Sequence, residues 1–551
     1  MLNKIHQFST IIFLFLLLLC VNIKSLNAQE LKISNILSID GDIEIISFFK
    51  NQDGDTLAAG NYKGIWKDNS KIWLSEGEND IFLGKWKKGR FDLILSWGGS
   101  RNDILFDAKG LANGDMILAG SFTEKIQLGQ KTIFTEGNAK AIFLTRINEK
   151  GEVLWIALFQ GSSWKDWGEM QLDEVKNEII LCGSFHDNII FDNGQTLLGT
   201  GESSVFAGIF DMGTGKVKNL RAFSGNNSVN QAYALSLHVW GNALVIAGNF
   251  DRDIVVDSIT EMALSRDWDI FLIYLKRDGL GLVKLLKIGG VYEQRVLTTY
   301  MDEKNGDIYL SGALAGVMKI GENTILQSQD GLSDIFLLKT SFEGTFKWAS
   351  LLGGDNVQAP LTLYKSDDHL WLSGYSLGKL KWQGEPLEPL TSFHSFISQW
   401  TLTEGKPRLI YSFSGEGIAF PTQFKQFDNQ SLLFSGSYRG KVNIRDNYLP
   451  FSTRYSGFFG FFPLALTSIK ENLDVPLFSL IPNPGDGHIH LNGIAENGEV
   501  FVWLGERMVY KVFVFKGDNY IILPTDLPAG IYSIMVRFTN GKSQTRLYFK
   551  K

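Results

Sequence analysis

Few residues in this chain are of types that do chemistry, and their spacing does not suit it. There are seven histidines: His6, His186, His238, His369, His394, His488 and His490. None belongs to an HExxH pattern, which relies on a helix to set two imidazoles on one face. His488 and His490 alternate along a strand and share a face. Without a carboxylate partner, an exposed pair of this kind ordinarily only solvates the strand. The sequence contains no GxSxG elbow and no phosphate-cradling glycine loop. The stretch Asn51-Gln52-Asp53-Gly54-Asp55 comes nearest a calcium loop, but it lacks the distal Glu and reads as a hairpin turn. No catalytic residue, metal site or cofactor is expected.

Aromatic residues near carboxylates are the better candidates for contact with a ligand. Trp164, Asp166 and Trp167 stand together in GSSWKDWGEM, and Trp268 and Tyr292 lie in comparable connections. Indole and phenol rings can stack on sugar rings while carboxylates accept hydrogen bonds from hydroxyls. Trp164, Asp166, Trp167 and Tyr292 are therefore the expected ligand-binding residues, for a glycan or a protein. Asp103, Asp166 and Asp355 open the alternative of a glycan-cleaving hydrolase or lyase, which needs two carboxyl groups roughly 5–10 Å apart.

The elements that position these residues are legible from an internal repeat. Gly60, Gly120, Gly183, Gly248, Gly312, Gly374 and Gly436 each end an apolar run, 60 to 65 residues apart. A second series follows each glycine by 22 to 24 residues: Phe82, Phe143, Phe206, Phe271, Phe336, Phe396 and Phe458. Turn glycines (Gly89, Gly151, Gly215, Gly279, Gly344, Gly405) and closing glycines (Gly41, Gly99, Gly161, Gly225, Gly290, Gly354, Gly415) keep the same phase. Asn113-Gly114 and its counterparts split each unit into hairpins, which gives four antiparallel strands per unit. The expected fold is all-β: a seven-bladed β-propeller of four-stranded blades. Its seventh unit lacks a last strand, and the stretch Leu31 to Gly41 (LKISNILSIDG) reads as the missing copy, closing the ring beside Phe458. Cys182 replaces the Ala of Ala119-type positions and reads as a small core residue.

The order of apolar-Gly-Ser/Asn-Phe, Asp-Ile-Phe-Leu, turn Gly and Gly-Gly resembles the bacterial β-propeller repeats of exported proteins, over roughly residues 30 to 466. The resemblance implies a propeller and export but no single activity. Past residue 469 the punctuation changes to Ile481-Pro482-Asn483-Pro484, then Leu527-Pro528-Ala529-Gly530-Ile531-Tyr532, with a basic end. This module resembles the C-terminal sorting domain of the type IX secretion system of Bacteroidetes and implies passage through that machinery, with Pro482, Asn483, Pro484, Leu527, Pro528, Ala529, Gly530 and Tyr532 as its motif.

The N-terminus fits the same route. Lys4 precedes the apolar run Ile11 to Val21, which is too short to span a bilayer, and Ala28 offers a cleavage site. The domains expected are a signal peptide (1–28), propeller (29–466), linker (467–476) and a small β-sandwich sorting domain (477–551). Removing residues 1–28 takes away Lys4 and Lys24 and no acid, so the net charge falls from −6 to −8. A mildly acidic chain without a basic cluster is unsuited to nucleic acid. The mature chain is expected to carry no transmembrane segment. The expected protein is a secreted or cell-surface binding scaffold.

Overall fold

The computed structural model of the chain describes residues 34–39, 42–51, 53–67, 71–87, 90–135, 140–161, 165–226, 228–263, 267–320, 324–328, 332–382, 385–387, 394–428, 431–444 and 447–463 and, towards the C-terminus, 479–481, 488–494, 497–504, 507–524, 527–528, 530–538 and 543–550. It divides into two compact units, Met1–Leu464 and Ala465–Lys551. Both are antiparallel β structure. Among the described residues the only helical turn is a 3-10 turn at Asp278–Leu280. No described helix is long and apolar enough to cross a membrane.

The first unit repeats one meander. Asp42–Lys50, Thr56–Lys63, Asp80–Lys87 and Arg90–Trp97 pair in that order, and four more meanders open with Ile104–Gly110, Lys165–Asp173, Ala232–Trp240 and Gln294–Asp302. An eight-stranded sheet follows, with strand sets that open at Gln358–Lys365 and Ile418–Asp428. Its outermost place is filled from the other end of the chain. Ser34–Ile39 pairs antiparallel with Asn447–Pro463, Ser38 opposite Phe458, as the sequence leads one to expect. Each opening strand touches the next, and Ile418–Asp428 touches Asp42–Lys50. The arrangement is propeller-like, with the opening strands innermost.

The two strongest sequence series are direct cross-strand partners. Gly60 faces Phe82, Gly120 faces Phe143, Gly183 faces Phe206, Gly248 faces Phe271, Gly312 faces Phe336, Gly374 faces Phe396 and Gly436 faces Phe458. On its other side each glycine meets the inner strand at a β-bulge, where the register slips, as between Leu105 and Asp107 or Val296 and Thr298. At Gly60, Gly120, Gly248, Gly312 and Gly374 the bulge pushes a carbonyl against the glycine while the phenyl ring lies over it. A Cβ at Gly312 would sit 1.8 Å from the Arg295 carbonyl oxygen and 2.7 Å from the Phe336 ring. No side chain fits there.

The residue after the landmark glycine ties neighbouring meanders together. Asn61 donates to the Leu105 carbonyl at 3.3 Å and accepts from the Leu105 N–H at 2.7 Å. Asn249 does the same to Val296, at 2.9 and 2.8 Å. Buried backbone at a bulge needs such partners. The closing glycines admit something the repeat alone does not announce. A short hairpin between the second and third strands, such as Val317–Ile320 with Thr324–Gln327, pairs with the end of the preceding meander, Gly290 opposite Met318. Several sheets thereby grow from four strands to six. A Cβ at Gly290 would lie 2.0 Å from the Val317 carbonyl oxygen, so only glycine lets this hairpin close. Cys182 is fully buried opposite Ala207, and burial pushes its thiol pKa up.

The second unit has two sheets around one core. His488–Ile494 lies between Ser479–Ile481 and Gly517–Ile522, while Gly498–Leu504 lies between Arg507–Val514 and Gly530–Phe538, with Ser543–Lys550 outermost. Ile489, Val500, Val502, Ile521, Tyr532 and Ile534 pack together inside. Tyr532 is buried and its hydroxyl donates to the Pro528 carbonyl at 2.5 Å, while Leu527 packs on the same core. Gly530 pairs with Lys550. Pro482, Asn483, Pro484 and Ala529 lie outside the described residues.

Overpacking a dense core costs about 1–3 kcal/mol. Gly312→Ala should therefore destabilise the first unit by an amount in that range, seen as a lower urea midpoint. Gly281→Ala, where an added Cβ meets nothing within 4 Å, should leave the midpoint nearly unchanged. Equal effects would show that the glycine–phenylalanine seat is not the constraint.

Candidate functional site

Strand side chains alternate, so each inner strand turns some residues to the ring axis. Around that axis lies a cavity of about 1200 Å³, lined by Lys109, Glu169, Gln171, His238, Tyr300, Tyr364 and Lys425 among others. Its mouth is formed by the turns that follow the inner strands, near Asp173, Asn242 and Asp302. The inner strands bring together groups that lie far apart in the chain.

Carboxylates and ammonium groups meet in the deep part. Asp107 is buried and held by Ser47 Oγ at 3.1 Å and by the Ala108 N–H at 2.8 Å. Lys109 Nζ lies 3.5 Å from Asp107 Oδ2, and the Asp107 carboxylate raises the Lys109 pKa. Glu169 accepts from the Leu237 N–H at 3.0 Å and from Gln171 Nε2 at 2.6 Å. Desolvation raises its pKa from an ordinary 4.5 to about 7, against the pull of Lys109. Lys425 lines the same cavity with its side chain still open to the cavity's water, and its pKa is lowered, first by desolvation and then by repulsion from Lys109, against the pull of Asp107. Among the described residues Lys425 has no hydrogen bond or ion pair.

His238 and the tyrosines complete the lining. His238 Nε2 lies 2.8 Å from Thr299 Oγ1, and burial lowers its pKa to about 4. An imidazole so weakly basic, with no carboxylate bonded to it among the described residues, is a poor general base at neutral pH. Tyr300 and Tyr364 pack edge to face at 5.3 Å, and the Tyr364 hydroxyl accepts from the Gln426 N–H at 3.2 Å. At the mouth Arg277 is almost fully buried, 2.7 Å from Asp173 Oδ2 and 2.5 Å from Glu178 Oε2. That ion pairing joins two meanders and is structural. Among the described residues no cluster of three or more His, Cys, Asp or Glu side chains could hold a metal ion.

The residues singled out from sequence fall elsewhere. Trp164 lies outside the described residues. Asp166 and Trp167 belong to the inner strand Lys165–Asp173, paired with Ser184 and Gly183, and not to a loop. The strand begins earlier than the aromatic-rich sequence suggests because Lys165 already pairs with Phe185. Tyr292 is exposed, at φ 67°, in the turn before Gln294–Asp302. At about 3.3 Å per residue, Trp167 stands some 20 Å along its strand from Asp173 at the cavity mouth. Asp103 is buried and accepts from the Gly99 N–H at 2.6 Å, whereas Asp355 is half-exposed and paired with Lys381. These two aspartates do not meet. What the sequence reading overlooked were polar residues 10 to 14 positions before each landmark glycine, Lys109, Glu169, His238 and Lys425 among them.

Comparison with known proteins adds no assignment. No protein-family model matches the chain, and no curated protein does. A Synechocystis apocarotenoid oxygenase mutant, Glu150Asp, aligns at 10% identity over 79% of this chain and 94% of its own, with a TM-score of 0.32. Sqt1 from Chaetomium thermophilum aligns at 8% identity over 77% and 98%, with a TM-score of 0.29. A Pyrococcus horikoshii acylaminoacyl peptidase aligns at 10% identity over 61% and 58%, with a TM-score of 0.24. Superpositions this loose carry no argument, so the site rests on its own residues.

Because the fold favours neutral Glu169, its contribution to stability is complete below pH about 4.5 and is lost as pH rises to about 7. His238, held neutral, acts oppositely: its contribution is lost as pH falls from 6.5 towards 4. The difference in melting temperature between Glu169→Gln and the parent should therefore shift in favour of the variant from pH 5 to pH 8. A difference constant across that range would show that Glu169 does not titrate there.

Proposed function

We propose that this chain is an exported seven-bladed β-propeller that binds a small polar ligand in its axial cavity, followed by a type IX sorting domain. The observation that carries the binding reading is the cavity itself, about 1200 Å³ and rimmed by charged and aromatic side chains from several meanders. Binding sites are concave, with a few convergent polar groups and perturbed titrations, and this cavity has all three properties. Counting the eight-stranded sheet as two four-strand sets gives seven blades. The sequential contacts of the opening strands and the pairing of Ser34–Ile39 support that count. The signal-like N-terminus and the LPAGIYSI motif, with Tyr532 at its core, support export to the medium or the outer surface.

A second reading has one observation in its favour. Glu169, with its pKa raised to about 7, stands near the Asp107 carboxylate, and such unequal pairs perform acid–base chemistry on glycosidic bonds. The binding reading is preferred because Glu169 already accepts two hydrogen bonds and His238 is a weak base.

Gln171→Trp in the full chain, which puts an indole into the cavity beside Glu169 in place of a polar group, should weaken binding of any compound found in a glycan and metabolite screen at least tenfold while the protein stays folded by circular dichroism. Binding that survives Gln171→Trp but is lost in Trp164→Ala/Trp167→Ala would place the site at the other end of the inner strands. Deleting residues 477–551 should leave folded protein in the periplasm of a type IX-competent host. Continued release to the medium would contradict the sorting role.

A further inference from the structure

The character of the ligand follows from the charges at the bottom of the cavity, and this inference rests on the binding reading above. The deep groups are Lys109 and Asp107 on Ile104–Gly110, Glu169 and Gln171 on Lys165–Asp173, His238 on Ala232–Trp240 and Lys425 on Ile418–Asp428. Asp173 stands further out and is occupied by Arg277. Asp107 is satisfied by Ser47, the Ala108 N–H and Lys109. His238 is bonded to Thr299. That leaves Lys425 with no hydrogen bond or ion pair of its own among the described residues, repelled by the Lys109 ammonium and only weakly drawn by the Asp107 carboxylate that Lys109 already engages.

We propose that Lys425 and Lys109 together bind the carboxylate of a small hydroxylated acid, a uronate-like molecule, and that the proton on Glu169 controls its affinity. A lysine pair repelling across a partly dry cavity is stabilised by an anion placed between its members. With Glu169 neutral, Lys109 and Lys425 outweigh Asp107 by one positive charge, which one carboxylate balances. The rest of the lining suits hydroxyl groups: Gln171, Thr299 and the Tyr300–Tyr364 pair offer donors, acceptors and a ring edge. When Glu169 ionises it supplies the balancing charge itself and competes with the ligand. Affinity should therefore fall as pH rises through about 7. Loss of the Lys425 proton acts in the same direction, because desolvation and Lys109 both lower its pKa.

The test is calorimetric titration of the full mature chain with D-glucuronate, D-galacturonate and D-gluconate, each paired with its neutral amide. The acids should bind at pH 6 at least tenfold more tightly than their amides, and at least tenfold more weakly at pH 8.5. Lys425→Met should remove the preference for the acid. Glu169→Gln should retain binding at pH 6 and lose most of the pH dependence. Equal binding of acids and amides would overturn the carboxylate inference while leaving the cavity as the binding site. Binding of none of the six compounds would overturn the inference as well. The Gln171→Trp variant, tested separately against whatever the screen yields, then decides the fate of the binding reading. Acid binding with no pH dependence would refute the Glu169 switch. Melting temperatures of Lys425→Met and Glu169→Gln at pH 6 separate loss of binding from loss of fold.

Discussion

The seat of a phenylalanine ring on a glycine, with a bulged carbonyl pressed from the opposite side, is the contact on which the first unit depends. It recurs at Gly60, Gly120, Gly248, Gly312 and Gly374. The ring needs the glycine because any Cβ would occupy its place. The bulge in turn re-aims the inner strand after the seat, and the Asn or Ser next to several of these glycines can then reach the next meander. Cross-strand packing, curvature and attachment between meanders thus share one small set of residues. Phe82, Phe143, Phe271, Phe336 and Phe396 are all fully buried, and each is expected to contribute on the order of 2–3 kcal/mol by burial.

The same arrangement makes the axis polar. The second and third strands are buried on both faces, as in Met116–Thr123 and Ser204–Asp211, and read as continuous apolar runs. The inner strands border the cavity on one side and can carry Lys109, Glu169, His238, Tyr364 and Lys425 there. Charges placed on the axis are desolvated by the ring around them yet not cut off from water. The opposed shifts of Glu169 and Lys425 both have desolvation as their largest cause. Polar and charged side chains are concentrated where the repeat leaves room for residues that packing does not dictate.

Much of the fold was legible because packing repeats. Glycines that admit no Cβ and rings that need one size of pocket leave a periodic trace, so the strands of each unit and the pairing of Ser34–Ile39 beside Phe458 could be read in advance. The added hairpins could not. Val317–Ile320 with Thr324–Gln327 is short, and its reason lies in a backbone approach to Gly290 that no single-sequence pattern displays. The lining of the axial cavity was not legible for a related reason. Trp164 and Trp167 stood out as departures from the period, whereas Lys109, Glu169 and Lys425 are separated by tens to hundreds of residues and converge only when the ring closes. A charged residue in an inner strand was a usable signal, since it must face either solvent or the axis.

Closure by the N-terminal strand is the claim that unites repeat, ring and cavity, because an open ring would have neither a continuous axis nor a covered edge. Amide hydrogen exchange followed by mass spectrometry on the full chain tests it most directly. The account predicts that the amides of Ser34–Ile39 exchange as slowly as those of their partner Asn447–Pro463, and that both are released together when the first unit unfolds. Exchange of Ser34–Ile39 within seconds, while Asn447–Pro463 stays protected, would contradict it.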